Sequence, residues 1–238
     1  MSAFIYGILL QWRLDLRNKG ILLTYYVVPL VFFAFMGGIF TSINPAAKDT
    51  LIQSMMIFGV SMGAFLGTPT PLVDVFATDI KKAYRVGGIP LWTIVANNII
   101  SAFIHLSIMS MIILLTAPII YKATVPTNLF VFFTAQSIFI LASVLIGTVL
   151  GLFAKSSTKL TMISQLFFLP SIMVGGIMFP SSMLPKILQA AGLFFPATWG
   201  FKATVSNVFD FDLLWPMIVI MIGCCVISIW KTSRLNSD

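Results

Sequence analysis

The 238-residue sequence contains no glutamate, and charged residues make up only 9% of it. Soluble domains average roughly 25% charged residues, so this chain has too little polar surface to cover a water-soluble globule. Disorder is excluded as well, because disordered segments are poor in apolar residues, whereas 59% of this chain is hydrophobic. The composition therefore predicts a polytopic membrane protein.

The scarcity of acidic residues leaves 14 Lys and Arg against seven Asp, for a net charge of +7. In a soluble protein such an excess would suggest nucleic acid as a partner. Here the basic residues flank apolar runs, which is the pattern of a topology signal. The expected partner is therefore the lipid bilayer, and no nucleic acid is expected.

Long apolar runs free of Asp, Lys and Arg are the main feature of the sequence. A helix needs about 20 apolar residues to cross a bilayer. Six stretches satisfy this length, and they predict spans at about 21–43, 51–73, 92–117, 129–153, 160–179 and 213–230. The predicted fold class is an all-α polytopic membrane protein with a single transmembrane domain over residues 1–238.

The basic residues also predict the orientation of these six spans. Ten of them lie in the N-terminal segment, in the connections after the second and fourth spans, and in the C-terminal tail, whereas four lie on the other side. The side richer in Lys and Arg faces the cytoplasm. We therefore expect a multi-pass protein of a bacterial plasma membrane with both termini in the cytoplasm.

Residues 1–19 predict an amphipathic helix that lies in the cytoplasmic interface. The basic residues Arg13 and Arg17 would lie away from its apolar face. That face is predicted to consist of Ile5, Leu9, Trp12 and Leu16. The alternative is an ordinary positively charged flank that starts the first span.

The connection at 74–90 is the longest and most charged on the cytoplasmic side. Residues 75–85 suit a short helix, which Gly87 can end, and Pro90 can open the next helix. The connection mixes charged and apolar side chains: Val75, Phe76, Asp79, Ile80, Lys81, Lys82, Tyr84 and Arg85. Such a surface suits a protein partner, and the alternative is a solvated basic loop that only sets the topology.

The segment at 180–200 is apolar but cannot cross the membrane and return as regular helices, because it is short and contains three prolines. It should form one or two short re-entrant or interfacial helices before the last span. Irregular backbone at that depth is tolerated only where protein covers it or where it lines a cavity. We therefore expect a pocket, gate or extracellular lid, and the alternative is an interfacial helix that closes the outer face.

Three glycines recur every four residues in the second predicted span, at Gly59, Gly63 and Gly67. This stripe of small residues lets helices approach closely. The same stretch matches the G-x-S-x-G pattern of serine hydrolases, with Ser61 as nucleophile and His105, the sole histidine, as candidate base. Because that pattern requires a strand-to-helix turn, packing is favoured, and an intramembrane serine protease is the less favoured alternative.

The sequence offers no energy source for active transport. It has no G-x-x-x-x-G-K-[ST] motif and hence no P-loop. No Cys, His, Asp or Glu cluster predicts a metal site, and no carboxylate lies deep in a predicted span, which disfavours an ion-coupled carrier. We expect a chain that is not an enzyme and has no cofactor of its own, and an ATP-independent carrier or channel is the alternative.

Several of these features resemble the permease subunits of type-2 ABC exporters, and the resemblance covers nearly the whole chain. Residues 14–20 and the Val-Pro-Leu of 28–30 are similar to the family's interfacial helix and proline-containing first span. Arg85, Gly87 and Pro90 match the spacing of its cytoplasmic coupling segment. Residues 169–185 are similar to the pattern that closes its fifth span, and residues 195–199 stand where the family has an Asn-Pro-Leu-Thr-like stretch.

The resemblance implies a partner set and a substrate class. Two permeases, identical or sister chains, would pair around a pathway, and two separate ABC ATPase subunits would bind ATP and Mg²⁺ on the cytoplasmic side. The complex would move a hydrophobic or amphipathic substrate outward, such as a drug, an antimicrobial peptide or a lipid-like compound.

The resemblance also implies roles for three groups of residues. ATPase coupling falls to Val75, Phe76, Asp79, Ile80, Lys81, Lys82, Tyr84, Arg85, Gly87, Pro90, Arg13 and Arg17. The pathway or dimer interface takes Gly59, Gly63, Gly67, Gly175, Gly176 and His105. The extracellular gate takes Phe179, Pro180, Pro185, Phe195, Pro196 and Trp199.

Overall fold

The structure, a computed structural model, describes residues 3–178 and 183–237, and in these ranges every regular element is helical. A short 3₁₀ turn, Pro45–Asp49, accompanies the helices. The helices are α1 (Ala3–Arg17), α2 (Lys19–Ile43), α3 (Leu51–Phe76), α4 (Ile80–Val86), α5 (Leu91–Tyr121), α6 (Leu129–Phe153), α7 (Ser157–Val174), α8 (Lys186–Gly192), α9 (Pro196–Val205) and α10 (Phe211–Ser237).

Five of the described helices are long and apolar enough to cross a membrane, namely α2, α3, α5, α6 and α10. Each contains the whole of one predicted span, so hydropathy located these five correctly. The sixth predicted span, 160–179, corresponds to α7, which is not among the five and ends at Val174. Gly176 explains the early end, because its φ of +76° lies in the left-handed region that terminates helices.

Helix α3 lies at the centre of the molecule. It packs against α2, α5, α6, α7 and α9. In its most apolar stretch of 18 residues, 89% is buried inside the protein, compared with 17% for the same length of α2 and of α10. Moving an apolar side chain from lipid into a protein interior gains little hydrophobic free energy, because lipid is equally apolar. Close packing therefore has to hold such helices together. The small residues of α3, which allow close packing, are therefore important for holding the helices together.

The glycine stripe of α3 packs inside the chain. A Cβ on Gly59 would lie 2.7 Å from Met109 Cε of α5, and a Cβ on Gly67 would lie 2.8 Å from Tyr25 Cε1 of α2. A Cβ on Gly63 would collide with Leu106. The predicted close approach is thus present, and it joins α3 to α2 and α5 of the same chain.

Two π-helical turns face each other where α2 meets α3. They cover Leu23–Val27 and Gly63–Gly67, and such turns occur frequently at functional sites. Tyr25 of the first turn is buried against the glycines of the second, and its Oη lies 3.2 Å from Thr68 Oγ1. Because Gly63 and Gly67 have no side chain, α3 leaves room for the ring of this tyrosine.

Two short helices, α8 and α9, occupy most of the described part of the predicted segment 180–200. Pro185 precedes α8, Phe195 precedes α9, and Pro196 is the first residue of α9, where its missing N–H costs no hydrogen bond. Helix α9 packs against α3, α6 and α10, and Gly200 lets it sit directly on the Phe139 ring. The expectation of short helical elements is confirmed, and α9 is a packed part of the core.

Candidate functional site

The connection between α3 and α5 is shaped by Thr78 and by the residues Gly87 and Pro90. Thr78 Oγ1 donates to the Asp74 carbonyl at 2.6 Å and accepts from the Ile80 N–H at 3.3 Å. Because this side chain competes for backbone groups, the predicted single helix over 75–85 is wrong: α3 ends at Phe76 and α4 begins at Ile80. Gly87 then ends α4, and Pro90 opens α5 as predicted.

Gly88 is the one described residue of this connection in the left-handed region, with φ of +67°. We expect Gly88→Ala to destabilise the connection by about 1 kcal/mol, because an L side chain is strained there. Gly87→Ala is the matched control, since Gly87 has φ of −75° and its nearest new contact is 3.4 Å away. Thermal unfolding of both variants measures the difference, and equal melting temperatures would contradict the prediction.

The coupling residues named from the sequence divide into a packed group and an exposed group. Phe76 is only 6% exposed, and Val75 and Tyr84 pack against the same small apolar cluster as Phe76. That cluster is formed by Leu72, Phe76, Leu91, Ile94, Val95 and Leu152. These side chains therefore fix α4 to the ends of α3, α5 and α6 and offer little surface to a partner.

The outward face of the connection is apolar and charged at once. Val86 is 91% exposed, and Ile80 and Ile89 are exposed as well, although neither Val86 nor Ile89 was singled out from the sequence. Lys82 Nζ lies 2.8 Å from Asp79 Oδ1, and this hydrogen bond holds the pKa of the Asp79 carboxyl below its usual value. Exposed ion pairs stabilise a fold little, so this face is free to vary without unfolding the chain.

A groove of about 840 Å³ separates this connection from α1. Its walls are mainly apolar and aromatic, and they include Phe4, Leu10, Tyr84, Ile89, Pro90 and Trp92. Arg13 and Arg17 of α1 are exposed. The structure therefore places the two segments expected to contact an ATPase side by side, with a cleft between them.

Helix α1 packs along the first half of α5 rather than standing apart from the spans. Phe4 approaches Trp92 with ring centroids 6.1 Å apart, and Trp12 stacks on His105 at 4.0 Å. Three of the four predicted apolar-face residues are exposed, namely Ile5, Leu9 and Leu16. Trp12 is the exception, because it turns inward to the imidazole.

A buried carboxylate anchors α1 to α5. Asp15 is 2% exposed. Its Oδ2 accepts a hydrogen bond from Ser101 Oγ at 2.6 Å, and its Oδ1 accepts from Gln11 Nε2 at 2.9 Å. Burial raises the pKa of Asp15, while these two hydrogen bonds act in the opposite direction.

His105 completes the polar cluster. It is fully buried, and its Nδ1 shares a hydrogen bond of 2.8 Å with Tyr26 Oη of α2. Its Nε2 lies 3.9 Å from Asp15 Oδ2. The ring is stacked with Trp12 and with Tyr25, whose centroids lie 4.0 and 5.3 Å away. This histidine lies inside the chain and links three helices.

Sequence reasoning missed most of this cluster, although a signal was available. Asn98, Ser101 and His105 are spaced three and four residues apart, so they form one polar stripe on α5. The stripe meets partners along its length, because Asn98 Nδ2 donates to the Thr68 carbonyl of α3 at 3.0 Å. Asp15 was passed over because it lies outside every predicted span.

The serine-protease alternative fails on geometry. Gly59-x-Ser61-x-Gly63 lies within the continuous helical run of α3, without the strand-to-helix turn that exposes a nucleophile. Ser61 is fully buried, and its Oγ has no hydrogen-bond partner within the described parts of the chain. The serine that lies beside Asp15 and His105 is Ser101, and its hydroxyl donates to the carboxylate. In a catalytic triad the serine hydroxyl is hydrogen-bonded to the imidazole instead.

A second cavity, of about 560 Å³, lies where α7, α8 and α9 meet. It is lined by Gly175, Gly176, Lys186, Gln189, Thr198 and Lys202, among others. Trp199 Nε1 donates to the Leu193 carbonyl at 2.8 Å and so ties α9 to α8. The expected pocket near the predicted gate is present, whereas Phe179 and Pro180 lie outside the described residues.

In a comparison with known protein families, the family described as ABC-2 type transporter matches residues 4–209. This range extends from the start of α1 to the residues just before α10. A search among curated proteins gives no match.

Proposed function

The chain belongs to the ABC-2 type transporter family of membrane permeases, and from this premise we propose that it is the permease subunit of an ATP-driven exporter. Permease domains of this family carry no ATPase motif of their own, and this sequence has no P-loop. ATP and Mg²⁺ would accordingly be bound by separate ABC ATPase subunits. The observation that carries the proposal is the exposed apolar and charged face of the 74–90 connection beside the groove at α1.

Docked ATPases would act on the spans through the packed side of the connection. Phe76 and Tyr84 connect α4 to the cytoplasmic ends of α3 and α5, and Leu235 of α10 touches the same apolar cluster. Displacement of α4 would therefore move several spans together. Because α3 is central, such a movement would reach the whole bundle.

We propose six spans, with α7 as the fifth and with both termini in the cytoplasm. Helix α7 has 18 residues and rises about 27 Å, close to the thickness of the hydrocarbon core. Helix α1 would extend from the cytoplasmic interface along the first half of α5 with Ile5, Leu9 and Leu16 toward lipid, and α8 and α9 would dip into the outer leaflet. The ten-to-four division of basic residues supports this orientation.

Single cysteines at positions 86 and 208 test that orientation. Val86 and Val208 are both strongly exposed in connections that we place on opposite sides. In a chain whose Cys224 and Cys225 are replaced by serine, a membrane-impermeant maleimide applied outside intact cells should label Val208→Cys and not Val86→Cys. The reverse pattern, or labelling of both, would contradict the topology.

The dimer surface is proposed on α2 and α7, which expose apolar side chains that lipid or a second permease would cover. On α2 these include Val31, Phe35 and Ile39, and on α7 they include Leu166 and Met173. The glycine stripe of α3 is already occupied by side chains of the same chain. The second permease is either an identical copy or a sister chain.

The cargo is proposed to be hydrophobic or amphipathic, and the outer cavity bounded by α7, α8 and α9 is the proposed exit region. Gly175, Gly176, Pro185, Phe195, Pro196 and Trp199 shape the ends and contacts of these helices. The outward direction rests on the resemblance of residues 169–185 to exporter permeases.

Co-expression tests the proposal. An affinity-tagged chain, produced together with the ABC ATPases of the source cell, should capture one of them at about one copy per permease. The captured subunit should be labelled by a photoreactive ATP analogue. An equally tagged, unrelated polytopic membrane protein is the control, and failure to capture any ABC ATPase would count against the proposed function.

A further inference from the structure

The Asp15 cluster, defined here as Asp15, Ser101, His105, Tyr26 and Trp12, joins α1 to α2 and α5. Its members come from three helices, and its contacts are short: 2.6 Å from Ser101 Oγ to the carboxylate and 2.8 Å between Tyr26 Oη and the imidazole. The ATPase contact and the exit region proposed above use none of these groups, and His105, which the resemblance assigned to the pathway or dimer interface, is fully buried inside the chain. The cluster therefore requires an explanation of its own.

The hydrogen-bond donors around Asp15 do not balance the charge of its carboxylate. Ser101 and Gln11 are uncharged donors, so they orient the Asp15 carboxylate without neutralising it. His105 Nε2 is buried and has no hydrogen-bond partner in the described structure, and it faces Asp15 Oδ2 across 3.9 Å. A buried charge is costly unless it is paired. One proton shared by this acid and this base would make the pair neutral overall.

The aromatic surroundings of His105 can hold its ring in either protonation state. The Trp12 ring lies parallel to the imidazole, with an interplanar angle of 6°, and the Tyr25 ring is stacked on it at 21°. A cation over an aromatic face is stabilised by the quadrupole of that ring. Tyr26 can donate to Nδ1 of a neutral ring, so both protonation states of His105 retain partners.

We propose that Asp15 and His105 form a proton-binding site that holds α1 on α2 and α5 most firmly when the pair carries one proton. Loss of that proton leaves a buried carboxylate unpaired, and a second proton leaves a buried imidazolium unpaired. Either change weakens the attachment of α1. Among the described residues, the other titratable groups beside the pair are Tyr25 and Tyr26 of α2, and the hydroxyl of Thr68 of α3 lies against that of Tyr25.

Fluorescence of Trp12 tests this site directly in the full chain, purified into lipid nanodiscs. An imidazolium quenches an indole stacked on it, and His105 is the sole histidine of the chain. The difference between wild type and Trp12→Phe isolates the Trp12 signal from the other four tryptophans. This signal should fall with a single-proton titration as the pH is lowered, and His105→Gln should abolish the titration.

Asp15→Asn separates a charge role from a packing role, because asparagine keeps the shape but removes the charge. The midpoint of the Trp12 titration should move to lower pH by at least one unit in this variant. Ser101→Ala is the matched control, because it removes a hydrogen bond but keeps both titrating groups, and its midpoint should move less. An unchanged midpoint in Asp15→Asn, or a titration that survives His105→Gln, would overturn the proposal.

Hydrogen exchange of residues 3–17 gives the second readout, corrected for the intrinsic pH dependence of exchange. Protection of α1 should pass through a maximum in wild type at the pH where the pair holds one proton, and the maximum should vanish in His105→Gln. This measurement needs neither ATPase nor cargo, so its outcome is independent of the proposed function. If Asp15→Asn does not fold, His105→Gln decides the question alone, and protection that is equal at all pH values in wild type would refute the site.

Discussion

Replacing both Ile80 and Val86 by aspartate should weaken capture of the ATPase subunits roughly tenfold or more, as loss of central apolar contacts does at protein interfaces. Both side chains are exposed on the outward face of the 74–90 connection, so new carboxylates there leave the core untouched. The effect should therefore appear in binding and not in the thermal stability of the permease alone. Pull-down at graded ATPase concentrations measures it.

Val208→Asp is the matched control for this double substitution. Val208 is 71% exposed in the connection before α10, which we place on the other side of the membrane. It should leave ATPase capture unchanged while adding the same kind of charge. If Val208→Asp reduced capture as strongly as the double variant, the loss would reflect general disturbance, and the assignment of the docking surface would fail.

Gly147→Ala should destabilise the chain by about 3 kcal/mol, the upper part of the usual cost of overpacking. The added methyl would collide with the Ala64 carbonyl oxygen, a backbone atom in the π-helical turn of α3. Backbone cannot move aside as a side chain can, so α6 and α3 have to separate. This separation disturbs the central helix, and unfolding in graded denaturing detergent measures the cost.

Gly223→Ala is the control for that substitution. Gly223 lies in α10, and a Cβ there meets nothing within 4 Å. The same chemical change in a membrane-spanning helix should then be close to neutral in stability. Equal destabilisation by the two variants would mean that glycine acts through helix flexibility, and the close approach of α6 to α3 would not be the cause.

Hydropathy was sufficient for most of the fold, because spans are long apolar runs with charges at their ends. Five predicted spans coincide with described helices that could cross a membrane. The end of the sixth was misplaced because Ile177 and Met178 continue the apolar run past the glycine pair, whose backbone conformation outweighs hydropathy. Composition alone cannot show which apolar residues follow a helix and which belong to it.

Periodicity located the faces of helices but not their neighbours. The glycine stripe predicted close packing, and the packing is found, yet its partners Tyr25, Leu106 and Met109 belong to the same chain. Trp12 was grouped with Ile5 and Leu9 by spacing, although it stacks on His105. Such pairings depend on tertiary arrangement, which a single sequence does not specify.

The buried cluster at Asp15 illustrates the same limit at a chemical site. The acid and the histidine are separated by 90 positions in the sequence, and only the packing of α1 on α5 brings them within 3.9 Å. The polar stripe on α5 could be found by spacing, whereas its carboxylate partner could not. Charged residues just outside predicted spans therefore need to be considered together with polar stripes inside them.

ATP hydrolysis by the captured ATPase in proteoliposomes tests the central claim most directly. The rate should rise several-fold when the wild-type permease or Val208→Asp is present, because in the proposed function the connection at 74–90 couples the spans to the ATPase. With the Ile80 and Val86 double variant, the rate should stay at that of the ATPase alone. A rate that is indifferent to the permease, or equally high with the double variant, would contradict a permease coupled through this connection.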